Sequence, residues 1–220
     1  MKPALSGGRM PCELAVGAGS HRGIASDMTL ANPDLFEMRR LESLSNTIFG
    51  VAMTLLAYDM PKAGQFTSLP DWADLYHVYA ARLSGLALSF IIAGVFWFSH
   101  QRRLARQPLG GRGVVMLNLL FLLSIILLPV TSGLNSSYRM SGAVSVLYGL
   151  HLTVTAALNA WLWWLAPRRL HHELAGAVFP VLVLLLGTIV AAFTPQYAQY
   201  FWLLAFGGLL VRRLAGPGHE

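Results

Sequence analysis

Between Leu174 and Val211 the chain carries no charged side chain. A run of that length cannot clothe a water-soluble domain, whose helices alternate an apolar face with a polar one. It is also too long for one membrane crossing, since about 20 apolar residues cover the hydrocarbon core. Thr194-Pro195-Gln196 interrupts it, so two helices are predicted, near 174–193 and 197–211, the second of them short. Four further spans are predicted at about Glu42–Asp59, Tyr79–His100, Val114–Leu134 and Gly142–Leu165. The expected fold is all-α, an integral membrane bundle of six helices. Composition agrees: 55% of residues are hydrophobic and 12% charged, against roughly 45–50% and about 25% in soluble domains.

The charges that remain lie between the apolar runs. Lys2, Arg9, Arg22, Arg39 and Arg40 precede the first span, Arg102, Arg103, Arg106 and Arg112 separate the second from the third, Arg168 and Arg169 the fourth from the fifth, and Arg212 and Arg213 follow the last. The alternate loops receive only Lys62, Arg82 and Arg139. Cytoplasmic loops are enriched in Lys and Arg, so both termini are expected in the cytoplasm and the protein in the plasma (inner) membrane. The net charge of +6 is spread among loops and forms no basic stripe with interleaved aromatics, so nucleic acid is not an expected partner. Residues 1–34 are expected to be a disordered cytoplasmic tail, 35–213 the six-span domain and 214–220 a short C-terminal tail. Cys12 is the only cysteine, which excludes an intrachain disulfide.

Span 1 is the most polar, with Ser43, Ser45, Asn46, Thr47 and Thr54. Thr47, Val51, Thr54 and Tyr58 recur at helical spacing with Leu55 beside them, while Gly50, Ala52 and Ala57 permit close helix contact. Two readings stand open on the residues alone: a buried central helix whose hydroxyls bond neighbouring carbonyls, or a stripe lining a pathway through an oligomer. Near the cytoplasmic depth of Arg40, a structural polar network is expected from Arg40, Ser45, Asn46, Trp97, His100 and Asn118. His151 reads as a packing histidine. His171-His172-Glu173 reads as an interfacial loop rather than a metal site, because adjacent residues do not share a helix face. No phosphate loop, His-Glu-x-x-His zinc site, catalytic triad or Thr-Val-Gly-Tyr-Gly filter is present, and no enzyme activity, metal or cofactor is expected.

Three strings, in order, resemble a known family. They are Arg40-Leu41-Glu42-Ser43-Leu44-Ser45-Asn46 with the Thr-Ile-Phe-Gly-Val-Ala-Met-Thr-Leu-Leu that follows, Ser89-Phe90 through Trp97 to His100, and Leu117-Asn118-Leu119-Leu120-Phe121-Leu122-Leu123 running to Leu128-Pro129. They resemble the bacterial TMEM175 (DUF1211) family, whose first helix opens with Arg-x-x-x-Phe-Ser-Asp. The resemblance implies a potassium-selective leak channel, a homotetramer in the lipid bilayer with the first helix of each subunit lining the pore and K+ as the permeant ion. Carried over by position, Val51 is the narrow apolar ring, Thr54 the hydroxyl ring one turn beyond, and Leu55 and Tyr58 the wall outward of it. This chain has Leu44 for the family's Phe, Asn46 for its Asp, and Val51 where Ile or Leu is usual. Two alternatives to the channel are a small secondary transporter and a non-conducting scaffold of the same fold.

Overall fold

The computed structural model describes residues 35–62, 64, 66, 68–107, 109–166 and 171–205. Strand β1 (Leu35–Glu37) leads into helix α1 (Met38–Leu55) and a 3₁₀ turn (Leu56–Asp59). Helix α2 (Trp72–Arg106), strand β2 (Leu109–Gly111), and helices α3 (Arg112–Ser137), α4 (Gly142–Trp164), α5 (His171–Phe193) and α6 (Pro195–Leu204) follow. Four of these helices are long and apolar enough to cross a membrane: α2, α3, α4, and α5 from Leu174 onward. The protein is therefore a mostly helical, multi-pass membrane protein. The only strands among the described residues are β1 and β2, which pair antiparallel with Phe36 opposite Gly110.

Local chemistry sets the helix ends. Asp71 accepts from the Asp74 backbone N–H at 2.7 Å and Asp74 accepts in return from that of Asp71 at 3.1 Å, a reciprocal cap that starts α2. Ser141 caps α4 by accepting from Val144. Pro195, which lacks the N–H an interior helical residue must donate, opens α6 with only Thr194 between it and the end of α5.

Two differences from the predicted boundaries matter. α1 begins at Met38, four residues before the predicted start, because β1 delivers the chain to it and Met38 is buried against Gly110 of β2. α2 runs on past His100 to Arg106, so Arg102, Arg103 and Arg106 lie in the helix and the connection to α3 shrinks to 107–111. The last turns of α2 stay helical because they have a packed face: Ser99, His100, Arg103 and Leu104 are all buried. Arg168, Arg169, Arg212, Arg213, the far end of the sixth span and both tails lie outside the described residues.

Without water between helices, apolar area gives no drive to associate, and shape and interhelical hydrogen bonds hold the bundle instead. Phe121 of α3 is fully buried between Phe49 of α1, Phe96 of α2 and the His100 ring, at centroid distances of 6.0, 6.3 and 5.1 Å. Ser89 ties α2 to α3 through Ser132 at 2.6 Å and to α4 through Tyr148 at 2.9 Å. His151 of α4 uses both ring nitrogens on α3, at Thr131 (2.8 Å) and the Ser124 carbonyl (3.0 Å). α4 and α5 pack tightly at Gly149, where an added Cβ would lie 2.5 Å from Thr188 Oγ1 and 3.2 Å from its Cα. Gly149→Ala is therefore expected to push the two helices apart and to cost about 1–3 kcal/mol. Gly113→Ala, whose Cβ would meet nothing within 4 Å, is expected to be neutral, and thermal unfolding in detergent checks the contrast.

Candidate functional site: the first helix and its polar anchor

α1 is packed on one side only. Ser45, Phe49 and Ala52 are buried on the side that faces α2 and α3, Met38 is buried against β2, and Leu56 continues the buried face into the 3₁₀ turn. The opposite side carries Leu44, Thr47, Gly50, Val51, Thr54, Leu55 and Tyr58, all exposed, Val51 by 53% and Tyr58 by 69%. Among the described residues its threonine hydroxyls reach no other helix. Thr47 Oγ1 donates to the Ser43 carbonyl at 3.1 Å and Thr54 Oγ1 to the Val51 carbonyl at 2.7 Å, each one turn back along α1. Just beyond the C-terminal end of α1 the Lys62 ammonium sits 4.7 Å from the centre of the Tyr58 ring. Within one chain, then, Thr47, Val51, Thr54, Leu55 and Tyr58 share an open face.

The buried side is fixed by a chain of hydrogen bonds whose direction follows from its ends. Arg103 can only donate, and its Nη2 lies 2.7 Å from Asn118 Oδ1 and 3.3 Å from His100 Nδ1. His100 Nδ1 is thus an acceptor, and the imidazole is neutral with its proton on Nε2. That proton points to Ser45 Oγ at 3.0 Å, and Ser45 passes its own to the Leu41 carbonyl at 2.6 Å. Ser45, His100, Arg103 and Asn118 are each fully buried. One relay therefore joins α3 to α2 and α2 to α1, in the plane where Phe49, Phe121 and the His100 ring also pack.

A second contact lies beside it. Asn46 Oδ1 accepts from Trp97 Nε1 at 2.9 Å and from the Gln101 amide. Both donors are neutral, so a neutral amide oxygen serves them and no carboxylate is required. The structure thus brings Ser45, Asn46, Trp97, His100 and Asn118 together across α1, α2 and α3. It does not bring Arg40 to them. Five residues are about 140° around a helix, so Arg40 faces away from Ser45, 90% exposed, with its Nε 3.8 Å from Glu37.

The guanidinium in the network is that of Arg103, which its place among the loop charges disguised. Its signal in the sequence was the spacing: three residues after His100, it shares that face of the helix. Among the described residues its Nε and Nη1, and Asn118 Nδ2, have no hydrogen-bond partner. Asn118 therefore supplies much of what keeps a buried cation tolerable.

Residues 40–129 match the family described as the endosomal/lysosomal potassium channel TMEM175. A Streptomyces collinus protein named as a potassium channel is 28% identical over 144 residues, which is 61% of this chain and 67% of that protein. No solved structure matches. The matched segment contains every residue of α1, α2 and β2 from Arg40 onward and α3 as far as Pro129, hence the whole relay.

Truncating Asn118 to Ala leaves the Arg103 charge buried with less to hold it, and is expected to cost about 1–2 kcal/mol. Arg103→Met removes the charge itself and is expected to cost less, and Arg103→Met combined with Asn118→Leu to recover most of the loss. Unfolding midpoints of the three variants in detergent check that order, which reverses if Asn118 matters only as packing. Over the segment from Arg40 to Pro129, which builds most of its first three helices and their polar relay, this chain is similar to the TMEM175 family.

Proposed function

We propose that the chain is one subunit of a homotetrameric, potassium-preferring cation leak channel whose pore is lined by α1 of each subunit. The observation that carries this reading is the open stripe of α1. A helix bearing Arg39, Arg40, Glu42 and five hydroxyl or amide residues is a poor partner for lipid, yet it is docked on one side and bare on the other. Assembly about a four-fold axis turns each bare side chain into a ring and gives the polar groups water instead of acyl chains. Eighteen residues at about 1.5 Å each span roughly 27 Å, close to the hydrocarbon thickness of about 30 Å. α6, whose described part is ten residues long, would complete six spans, with both termini in the cytoplasm and the protein in the plasma membrane.

In this arrangement Val51 forms the constriction, an apolar ring that resists wetting. Thr54 places hydroxyls one turn outward, where their oxygens substitute for part of an ion's hydration shell. Because Thr54 donates its proton to the Val51 carbonyl, its lone pairs remain for a cation. Leu55 and Tyr58 widen the wall beyond, and Thr47 lies on the cytoplasmic side. The named function of the Streptomyces collinus relative supports K+ as the ion.

Reconstitution in liposomes with a potassium-flux assay tests the proposal. Val51→Ala, which enlarges the constriction, is expected to raise flux several-fold and weaken discrimination of K+ over Na+. Thr54→Ala is expected to lower the K+ preference. Absence of flux, or flux unchanged by both substitutions, contradicts the pore assignment, and saturating or proton-coupled flux would replace it with a transporter.

A further inference from the structure

At the end of the bundle remote from Arg103, where α3 ends and α4 and α6 begin, there is a cavity of about 350 Å3. Asn135, Arg139, Ser145, Gln196, Gln199 and Trp202 contribute its walls. Their hydrogen bonds decide which groups face a ligand as donors. Arg139 Nη2 donates to Gln199 at 2.8 Å; a guanidinium cannot accept, so the Gln199 oxygen is the one engaged and its amide nitrogen is left to donate. Asn135 likewise spends its oxygen on the Ser145 hydroxyl at 3.2 Å, leaving its amide nitrogen. The cavity thus combines a guanidinium with two amide donors, and no Asp or Glu is among its described walls.

A positive, donor-rich cavity suits an anion. At roughly 30 Å3 per water it holds about twelve waters' worth of space, more than a single halide fills and enough for a phosphate with part of a glycerol. The exposed rings of Tyr138, Tyr197 and Tyr200 crowd the same end, which places it at headgroup depth if this end meets the membrane surface. We propose that this cavity is a binding site for a phosphate-bearing anion, with Arg139 as the charge that selects it and the amides of Asn135 and Gln199 as neutral donors to its oxygens. Two sources offer that chemistry: the phosphodiester of an anionic phospholipid, held between helices as basic intramembrane pockets hold headgroups, and a soluble phosphate monoester. The site rests on its own geometry and is independent of conduction.

Native mass spectrometry of the full chain in detergent, titrated with phosphatidylglycerol, phosphatidylcholine or glycerol 3-phosphate, tests it. Phosphatidylglycerol or glycerol 3-phosphate is expected to bind more tightly than phosphatidylcholine, and which of the two binds identifies the source. Arg139→Gln is expected to weaken that binding about tenfold. Gln199→Glu is expected to weaken it as much while leaving thermal stability unchanged or higher, since the new carboxylate pairs with Arg139 and repels the anion. That combination separates a ligand role from a structural one, and decides the matter alone if Arg139→Gln does not fold. Binding of neither anion, or binding by both variants as by the unsubstituted protein, overturns the proposal.

Discussion

The architecture depends on how one face of α1 is docked. Ser45 and Phe49 meet His100 and Phe121 in a single layer, where the relay from Arg103 to the Leu41 carbonyl runs alongside ring packing at 5–6 Å. Because lipid supplies no hydrophobic drive between helices, these directional contacts fix the rotation of α1 about its own axis. Once that rotation is set, the residues on its other side are set too: turning Ser45 and Phe49 inward leaves Thr47, Val51, Thr54 and Tyr58 bare. The anchor therefore determines the candidate pore surface without any of its own residues facing it.

The anchor also shows how a difference from the pattern that this chain resembles can be absorbed. Asn46 in place of an acid would leave Arg40 without its expected partner if the two met. In this chain they do not: Asn46 serves the neutral donors of Trp97 and Gln101, and Arg40 is at the surface with Glu37. The buried positive charge comes from α2 instead, as Arg103, and is held by the neutral Asn118 and His100. A neutral cradle is a weaker counterweight than a carboxylate, which is why the relay rather than any single contact must carry the load.

Much of this was legible beforehand because apolar run length and polar interruptions are local properties. The break at Thr194-Pro195 and the polar character of the first helix follow from spacing; a common depth suggested the company of Ser45, Asn46, Trp97, His100 and Asn118, but spacing did not establish it. What was not legible depends on rotation and on partners distant in the chain. Arg40 and Ser45 are five positions apart, and only the helix turn between them shows that they diverge. Arg103 looked like a loop charge until Asn118 and the buried turns of α2 drew the helix out to Arg106. The pairing of β1 with β2 rests on three residues each, too few to leave a pattern. The cavity beside Arg139 joins the ends of three helices, and no single segment announces it.

The central claim is that the bare stripe of α1 faces water inside an assembly. Single cysteines at Thr47, Thr54 and Tyr58, introduced after Cys12→Ser and probed in liposomes with a membrane-impermeant cationic thiol reagent, test it most directly, with cysteines at Leu186 and Ile189 on the exposed apolar side of α5 as controls. The account predicts modification at the three α1 positions and none at the two α5 positions. Protection of all three, at the level of the controls, would mean that this face meets lipid or protein and would contradict it.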